Sequence, residues 1–443
     1  MSRRFALLLA ACLAPQAVFA ADLLQTFRDA LANDAVYASA RAARDAGLEN
    51  IPQGLAQILP TVSASAFTQD NRNDLSFRGV APPSRREGNT NAFTVTLTQP
   101  LFNWQAIQVY REAGFKAAQA EAVFGQAAQD LVVRVAQGYF DVLGSQDSLA
   151  FIQAQKIAIS EQLAQAKRNF EVGTATITDT HEAQARYDLA TAQEIAAQSD
   201  LEIKQRTLQQ TIGKFPDRLA PLREKFELNP PKPNVMEDWA TAAGKQAFQV
   251  RVQEALVEIA RREIERSRSG HLPTLNLVGN VGTSSQSFSA IGTSSIPSDA
   301  INRNIGLQVA IPLYAGGNVS SLVRQAVANR EKAEQDLENS RRTAALAARQ
   351  SYLGVTNGMA QVRALEAALV SSRSALDSNK LGYEVGVRIN IDVLNAQQQV
   401  FSTLRDLSKA RYDTIVNGLK LKAAAGTLGE ADVEEVNRLL GSN

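Results

Sequence analysis

The alternation of apolar and polar residues predicts two kinds of segment in this chain, very long helices and short strands. From about 103 to 170 the pattern is helical, rich in alanine and glutamine, and free of proline. At about 1.5 Å per residue this helix would be roughly 100 Å long, which no compact domain accommodates. Just before it, Phe93–Thr98 alternates strictly between apolar residues and threonine, as in a strand with one apolar and one polar face.

The same succession of elements occurs twice. Landmark residues of the first unit recur 213 positions later: Gly173 with Gly386, Asp179 with Asp392, Gln184 with Gln397, and Gly213 with Gly426. A shared offset over so many positions indicates one structural unit built twice. In each unit a glycine-containing turn, at 171–178 and at 385–391, separates a long helix from a shorter one. We therefore expect two helical hairpins whose tips are these turns.

The expected organisation follows from this duplication. A signal peptide (1–20) precedes repeat 1 (21–213), a proline-rich linker (214–234), repeat 2 (235–426) and a tail (427–443). Each repeat is expected to contain a helix, two strands, the long helix, the tip turn and a second helix. The predicted bounds after the first helix are strands at about 61–69 and 92–99 and helices at about 103–170 and 179–213 in repeat 1, and strands at about 274–283 and 304–311 and helices at about 318–384 and 392–425 in repeat 2.

The four strands bear on the assembly. Strands of about 9 to 11 residues suit a crossing of an outer membrane, with apolar side chains toward lipid. An open sheet edge is not tolerated in hydrocarbon, and four strands cannot close a barrel. The protein is therefore expected to oligomerise, and a dimer would supply about 8 strands, a trimer about 12 and a tetramer about 16. The residue pattern alone does not choose among these.

The amino-terminal residues have the pattern of a secretory signal peptide. Arg3 and Arg4 precede the apolar run Phe5–Leu13, and small residues end the segment, so cleavage is expected after Ala20. Cys12, the only cysteine of the chain, follows Leu-Ala-Ala in a lipoprotein-like cleavage box, and acylation there is the alternative. The net charge of +1 gives no indication of a nucleic-acid partner, and no later run of about 18 apolar residues predicts a transmembrane helix.

The specific marks of the chain lie at the junctions and the tips. The strands pass into the long helices through Gln99-Pro100-Leu101-Phe102 and through Ile311-Pro312-Leu313-Tyr314-Ala315-Gly316-Gly317. In this order, twice, over the whole chain after the signal peptide, the junctions and tips resemble those of the TolC family of outer-membrane efflux and secretion channels. The resemblance implies a mixed α and β membrane protein. Its fold would be a trimeric 12-stranded transmembrane β-barrel, with four strands per protomer, continued by a long periplasmic α-helical barrel.

The same resemblance implies partners and a place of action. Members of the family dock with a periplasmic adaptor (membrane fusion) protein and an inner-membrane ABC or proton-driven transporter, and they carry substrates out in one step. The expected location is the outer membrane, with lipid around the strands and the helices in the periplasm. We expect a homotrimer that serves efflux or type I secretion, without enzymatic activity, cofactor, metal or nucleic acid. The cargo stays open between proteins and small toxic compounds.

The resemblance also implies a gate at the periplasmic entrance. Matched by motif, Asp179 takes the place of an aspartate on the first hairpin, and Tyr383, Arg388 and Asp392 take those of polar gate residues on the second. Three residues after Asp392, where relatives carry a second acidic residue, this chain has Asn395. That difference leaves open how negative, and how sensitive to cations, the entrance is.

Each of these residues also has a purely structural interpretation. Asp179 and Asp392 follow turns and could be helix N-caps, Asp179 within a capping box. Arg388 could be a solvated cation, although a guanidinium with five donors on a turn favours a bridge to carboxylates on a neighbouring helix. The ring of Tyr383 could pack as an apolar group, so that only its hydroxyl needs the gate hypothesis.

Other chemistries find no support in the sequence. His181 and His271 lie about ninety residues apart without ligand-spaced partners, and Gly316-Gly317 lacks the Lys-Ser/Thr of a phosphate loop. The alternative function is a periplasmic adaptor or coiled-coil scaffold that forms no pore. An adaptor would be expected to have one hairpin enclosed by soluble β-domains and an inner-membrane anchor, so two hairpins with four alternating strands argue against it.

Overall fold

The computed structural model of the protein describes residues 21–75, 84–216, 218–223, 226–290 and 296–441. The expected signal peptide and Cys12 lie outside the described residues. Within those five stretches the chain combines long helices with a four-stranded sheet. No helix in these stretches has both the length and the apolar character needed to span a bilayer.

The first repeat begins with three helices where one helical stretch is expected. In chain order its elements are α1 (Leu23–Asn33), α2 (Ala35–Leu48), α3 (Asn50–Ala56), β1 (Thr61–Leu75), β2 (Ser84–Phe102), α4 (Trp104–Glu171) and α5 (Ile177–Ile212). Asp34 separates α1 from α2 because its backbone is extended, while its N–H still bonds the Ala30 carbonyl. Its carboxylate accepts the Tyr37 N–H at 2.6 Å and pairs with Arg134 Nη2 of α4 at 2.8 Å. The break is thus held by a cap and an ion pair.

The second repeat has the same order of elements. They are α6 (Met236–Gln246), α7 (Phe248–Arg268), a 3₁₀ turn (Ser269–His271), β3 (Thr274–Ala290), β4 (Ile296–Ala310), α8 (Asn318–Glu384) and α9 (Asn390–Ala424), followed by α10 (Glu430–Asn437) in the tail. The two long helices, α4 with 68 residues and α8 with 67, have the lengths that the uninterrupted patterns predict. α4 begins at Trp104 because the Asn103 side chain accepts the Ala106 N–H at 3.1 Å, which caps its first turn.

The strands are longer than the alternating pattern predicts. β1 and β4 each have 15 residues, β3 has 17 and β2 has 19. Their outer parts are polar, as where Asp70 lies opposite Asn89 and Arg72 opposite Glu87. Backbone hydrogen bonds join these parts whatever the side chains are, so the hydropathy pattern marks only the apolar section of each strand. The predicted ends near 69 and 283, and the predicted starts near 92 and 304, were wrong for this reason.

The sheet is antiparallel, in the order β1-β2-β3-β4, so β1 and β4 are its two edges. At the junction with α4, Phe102 lies opposite Leu275 after a register irregularity that begins at Pro100. A proline has no N–H to donate to the neighbouring strand, which explains why the ladder is irregular there.

The described residues group into two compact units. One comprises the chain up to Ala42 together with Val123–Val250 and Ser340–Asn443, and it contains both hairpin tips. The other comprises Ala43–Ala122 and Arg251–Asn339, and it contains the sheet. Repeat and compact unit therefore do not coincide, because each unit takes segments from both repeats.

The core of the unit with the tips joins the two hairpins. Phe140 of α4 stacks on Tyr412 of α9 with ring centroids 5.5 Å apart, and Tyr139 donates a hydrogen bond to the Ala220 carbonyl at 2.8 Å. Tyr412 in turn donates to the Asp147 carboxylate at 2.7 Å. Burial raises the pKa of the Asp147 carboxyl, and the hydrogen bond from Tyr412 opposes that shift. The stacked rings and the hydrogen bond from Tyr412 to Asp147 thus hold α4 against α9.

Candidate gate at the hairpin tips

The two tip turns have the same backbone geometry. α4 and α8 each end in a glycine with a positive φ, 75° at Gly173 and 76° at Gly386. In the first turn Thr174 N–H bonds the Asn169 carbonyl, and in the second Val387 N–H bonds the Gly382 carbonyl, both at 2.8 Å. A residue with a side chain is strained at such a φ, which explains why glycine stands at both positions of the duplicated unit.

Asp179 lies in a capping box at the start of α5, but it is not the N-cap. The N-cap is Thr176, whose hydroxyl accepts the Asp179 N–H at 3.3 Å. The Asp179 carboxylate accepts the Thr176 N–H at 3.0 Å and its hydroxyl at 2.9 Å. The predicted cap at Asp179 was three residues too late because α5 begins at Ile177. Thr176 and Asp179 thus satisfy each other's backbone N–H groups, and the first tip contains a complete capping box.

Asp392 is not an N-cap either. The residue at the N-cap of α9 is Ile389, whose side chain cannot accept a hydrogen bond. Asp392 instead forms an ion pair with Arg388, four residues earlier, in which Oδ2 lies 3.6 Å from Arg388 Nη1. The Arg388 side chain is 58% exposed. A pair this exposed contributes about 0–1 kcal/mol. The second tip therefore has a weak ion pair where the first has a complete capping box.

Tyr383 joins the two hairpins through its hydroxyl. The Asn169 side chain of α4 donates from Nδ2 to the Tyr383 Oη of α8 at 3.1 Å. Apolar packing of the Tyr383 ring does not account for this hydrogen bond of its hydroxyl. Asn169 was not singled out from the sequence, although it lies one residue before Phe170, the position that aligns with Tyr383 in the duplication.

Arg186 forms a second polar contact between the hairpins near the tips, and sequence reasoning missed it. From α5 it donates from Nη2 to the Asn395 Oδ1 of α9 at 2.9 Å, and from Nη1 to the Gln398 Oε1. Arg186 lies seven residues after Asp179, which places both on one face of α5 two turns apart. The sequence offered two signals for this contact: the seven-residue spacing from Asp179, and Asn395 at the position where relatives carry an acidic residue.

Apolar packing supports these polar contacts. Leu394 of α9 is 4% exposed and packs with residues of the first hairpin in one cluster: Ile159, Leu163, Ala166, Ala183, Ala190 and Tyr187. Beside it, Lys156 of α4 and Glu194 of α5 form an ion pair of 2.8 Å, and the hydrogen bond from Lys156 lowers the pKa of Glu194. The first hairpin is thus internally tied, and the second hairpin inserts a leucine into it.

The four residues implied by the resemblance do not form one cluster within the described chain. Arg388 and Asp392 lie together, Asp179 bonds Thr176, and Tyr383 bonds Asn169. Arg388, Asp392 and Asn395 line a groove of about 390 Å³ on the second hairpin, together with Ser372, Ala375, Asn379, Ala396 and Gln399. Among the described residues no group of three or more His, Cys, Asp or Glu side chains could hold a metal ion. What the described residues bring together at the tips is a set of polar links between helices.

Comparisons with known proteins identify the family of the chain and its fold. The sequence profile described as "Outer membrane efflux protein" matches the chain twice, over 26–214 and 239–427. The two matched segments begin at the 213-residue offset that the landmarks show. The outer membrane protein TolC of Vibrio cholerae is 34% identical over 423 residues, covering 95% of this chain and 94% of that protein.

Two further similarities concern secretion and the fold. The alkaline protease secretion protein AprF of Pseudomonas aeruginosa is 32% identical, covering 94% of this chain and 87% of that protein. The crystal structure of the CmeC outer membrane channel of Campylobacter jejuni superposes with a TM-score of 0.79 at 16% identity, over 95% of this chain and 90% of that chain. The sequence profile, the relatives and the solved channel point to one architecture.

Proposed function

The chain belongs to the outer membrane efflux protein family, and from that premise we propose that three copies form one channel that closes at its hairpin tips. The protein is an outer-membrane channel for efflux or secretion, with helices that extend into the periplasm. This confirms the channel prediction and disfavours the alternative of an adaptor or scaffold without a pore. The assembly, the partners and the gate are proposals.

The trimer is supported by the sheet and by the family resemblance. Each chain supplies four strands whose two edges, β1 and β4, have unpaired backbone donors and acceptors. Within hydrocarbon every such group needs a partner, so the edges must pair between copies. Three copies close the 12-stranded barrel that the resemblance implies, and their hairpins converge at the periplasmic end.

The contacts between the two hairpins carry the gating proposal. Within one chain, two polar contacts join the hairpins at the tips: Asn169 with Tyr383, and Arg186 with Asn395 and Gln398. The bond of Asn169 with Tyr383 joins neutral groups and contributes about 0.5–1.5 kcal/mol, and the exposed bonds of the charged Arg186 together contribute about 1–2 kcal/mol. Links of this size can hold the tips together and still be broken by a docking partner.

Arg388 extends the proposal to the neighbouring copy. Its guanidinium has five donors, and within the described chain its ion pair is the contact with Asp392 at 3.6 Å. The exposed groove that it lines leaves room for an acceptor from the adjacent first hairpin, where Asp179 is the carboxylate of the implied gate. Arg388 would then bridge its own Asp392 and the next copy.

The proposed partners would supply the energy for export. A periplasmic adaptor would dock at the tips, where Val172, Val385 and Val387 are exposed, and an ABC or proton-driven transporter would drive export from the inner membrane. The cargo is a protein or a small toxic compound. The similarity to an alkaline protease secretion protein favours a protein cargo.

The test is the single-channel conductance of the purified protein in a planar bilayer, wild type beside the variant Tyr383→Phe combined with Arg388→Ser. The variant loses the acceptor of the Asn169 bond and the cation of the second tip. We expect a small conductance in the wild type and a larger one in the variant. Equal conductance of the two proteins would refute the gate. If protein shown to be folded formed no pore, the adaptor or scaffold alternative would be favoured again.

A further inference from the structure

Two side-chain amides on one face of α9 are buried without a hydrogen-bond partner among the described residues. Asn390 is 3% exposed, and neither Oδ1 nor Nδ2 of its amide is bonded there. Gln397 is 5% exposed, and its Oε1 is likewise unbonded within that part of the chain. A buried polar group that has lost its water and gained no partner destabilises the conformation that buries it. The position of these two amides therefore bears on how strongly the hairpins hold together.

The buried face of α9 is the one that meets the first hairpin. Asn390, Leu394 and Gln397 follow one another at spacings of four and three residues, which places them on one side of the helix. Leu394, between the two amides, packs in the cluster of the first hairpin. Gln397 lines a small cavity together with Gln155 and Ala190 of the first hairpin. The two amides thus flank the leucine that anchors the second hairpin to the first.

Neither amide is needed for the local structure of the helix. Asparagine is a good N-cap, but the N-cap of α9 is Ile389, and no side chain makes a capping hydrogen bond there. In the first hairpin, Ile177 stands at the position of Asn390. Gln184, at the position of Gln397, donates a hydrogen bond within α5 at 2.9 Å. The same structural unit therefore forms with an apolar residue at one position and with a bonded amide at the other.

We propose that the buried amides of Asn390 and Gln397 weaken the contact between the hairpins, so that the tips can separate when a partner docks. Separation exposes both amides to water, which supplies the hydrogen bonds that the contact withholds. The polar links of Tyr383 and Arg186 and the packing of Leu394 favour the contact, and the two amides oppose it. This inference deepens the proposed gate and rests on it.

Replacement of the amides by apolar side chains of similar size tests this role. Asn390→Leu combined with Gln397→Met removes the unpaired atoms and keeps most of the volume, so the contact between the hairpins should become tighter. Amide hydrogen exchange at the second tip turn and in the first turns of α9 should slow by at least about tenfold. The matched control Gln184→Met alters an amide that is bonded within α5, and it should not slow exchange.

Conductance shows whether the amides act on the gate. In the variant Tyr383→Phe combined with Arg388→Ser, we expect a larger conductance than in the wild type. Addition of Asn390→Leu and Gln397→Met to that variant should return the conductance toward the wild-type value. Each of the two added substitutions alone should act in the same direction, which keeps the inference testable if the combined variant does not fold.

The outcomes separate this inference from the proposed gate. Unchanged or faster exchange would overturn the inference, because the amides would then have partners in the contact. One such partner is a water molecule: the cavity of about 20 Å³ beside Gln397 has room for about one, and Gln397→Met would then speed exchange.

Conductance distinguishes the remaining outcomes. If exchange slows but Tyr383→Phe with Arg388→Ser conducts like the wild type, the amides weaken the contact as inferred and the proposed gate has failed. If exchange slows and the added substitutions leave the conductance high, the amides do not control the separation of the tips, and the inference is overturned while the gate stands.

Discussion

The two hairpin tips share a turn and differ in how that turn is held. The first tip has a capping box in which Thr176 and Asp179 satisfy each other. The second has Ile389 at the N-cap, without a side-chain hydrogen bond, and only the exposed pair of Arg388 with Asp392. One duplicated unit has thus produced a tip that is stable by itself and a tip that depends on its neighbours.

This difference bears on which tip would move in the proposed gate. Near its tip the second hairpin is attached to the first through Leu394, through Tyr383 and through Asn395 with Gln398, and the tip itself lacks a cap. Farther from the tip, α8 and α9 are held to each other by the cluster of Val362, Leu407 and Ala410, so only the tip of the second hairpin depends on the contacts with the first. If the proposed gate opens, we therefore expect the tip of the second hairpin to move and that of the first to remain in place.

The largest expected effect comes from removing the packing between the hairpins. Leu394→Ala deletes a 4% exposed side chain from the cluster of the first hairpin, which typically costs about 2–5 kcal/mol. We expect a lower unfolding temperature and a larger conductance, because the second hairpin loses its anchor. Leu381→Ala, which truncates a 62% exposed leucine of α8, is the matched control and should change neither. A closed pore in the Leu394 variant would show that the second tip does not need the first.

A smaller effect is expected from the polar contact between α5 and α9. Arg186→Ala removes the donors to Asn395 and Gln398, which are partly open to water and together contribute about 1–2 kcal/mol. We expect conductance to rise without a change in unfolding temperature beyond a few degrees. Gln184→Ala removes only a bond to Asp188 within α5 and serves as control. If both variants conduct like the wild type, the contact of Arg186 does not restrain the second hairpin.

Much of this fold follows from the sequence because duplication and periodicity are strong signals. The ends of the long helices lie within about two residues of prediction, since glycine turns and a proline junction mark them. The strand ends were wrong because polar strand pairing leaves no hydropathy signal, as at Arg72 opposite Glu87. The break at Asp34 was not predicted because it depends on Arg134, a hundred residues away in the sequence.

The candidate site was only partly predictable for a similar reason. The positions of the tips and of Asp179, Tyr383, Arg388 and Asp392 follow from motifs, and their role in a gate stays a prediction. The caps were misplaced because Thr176 and Asp179 are both good capping residues, and the first residue of the helix decides between them. Arg186 and Asn169 were missed because their partners lie on another helix, and a single sequence does not show which faces meet.

The smallest expected effect is an exchange of caps, and it tests the comparison of the tips most directly. Thr176→Ala should destabilise the first tip by about 1 kcal/mol. Ile389→Thr should stabilise the second by a similar amount, because a hydroxyl at that N-cap can accept the Asp392 N–H beside the 3.1 Å bond that this N–H already makes to the Ile389 carbonyl. Ile389 is 62% exposed, so little packing is lost.

Amide hydrogen exchange at the two turns should be about fivefold faster in the first variant and about fivefold slower in the second, since about 1 kcal/mol corresponds to that factor. Val387→Thr, a polar change in the same turn away from the N-cap, should leave exchange unchanged. If the capped second tip exchanges as fast as the wild type, its mobility comes from the weak contacts between hairpins and not from the missing cap.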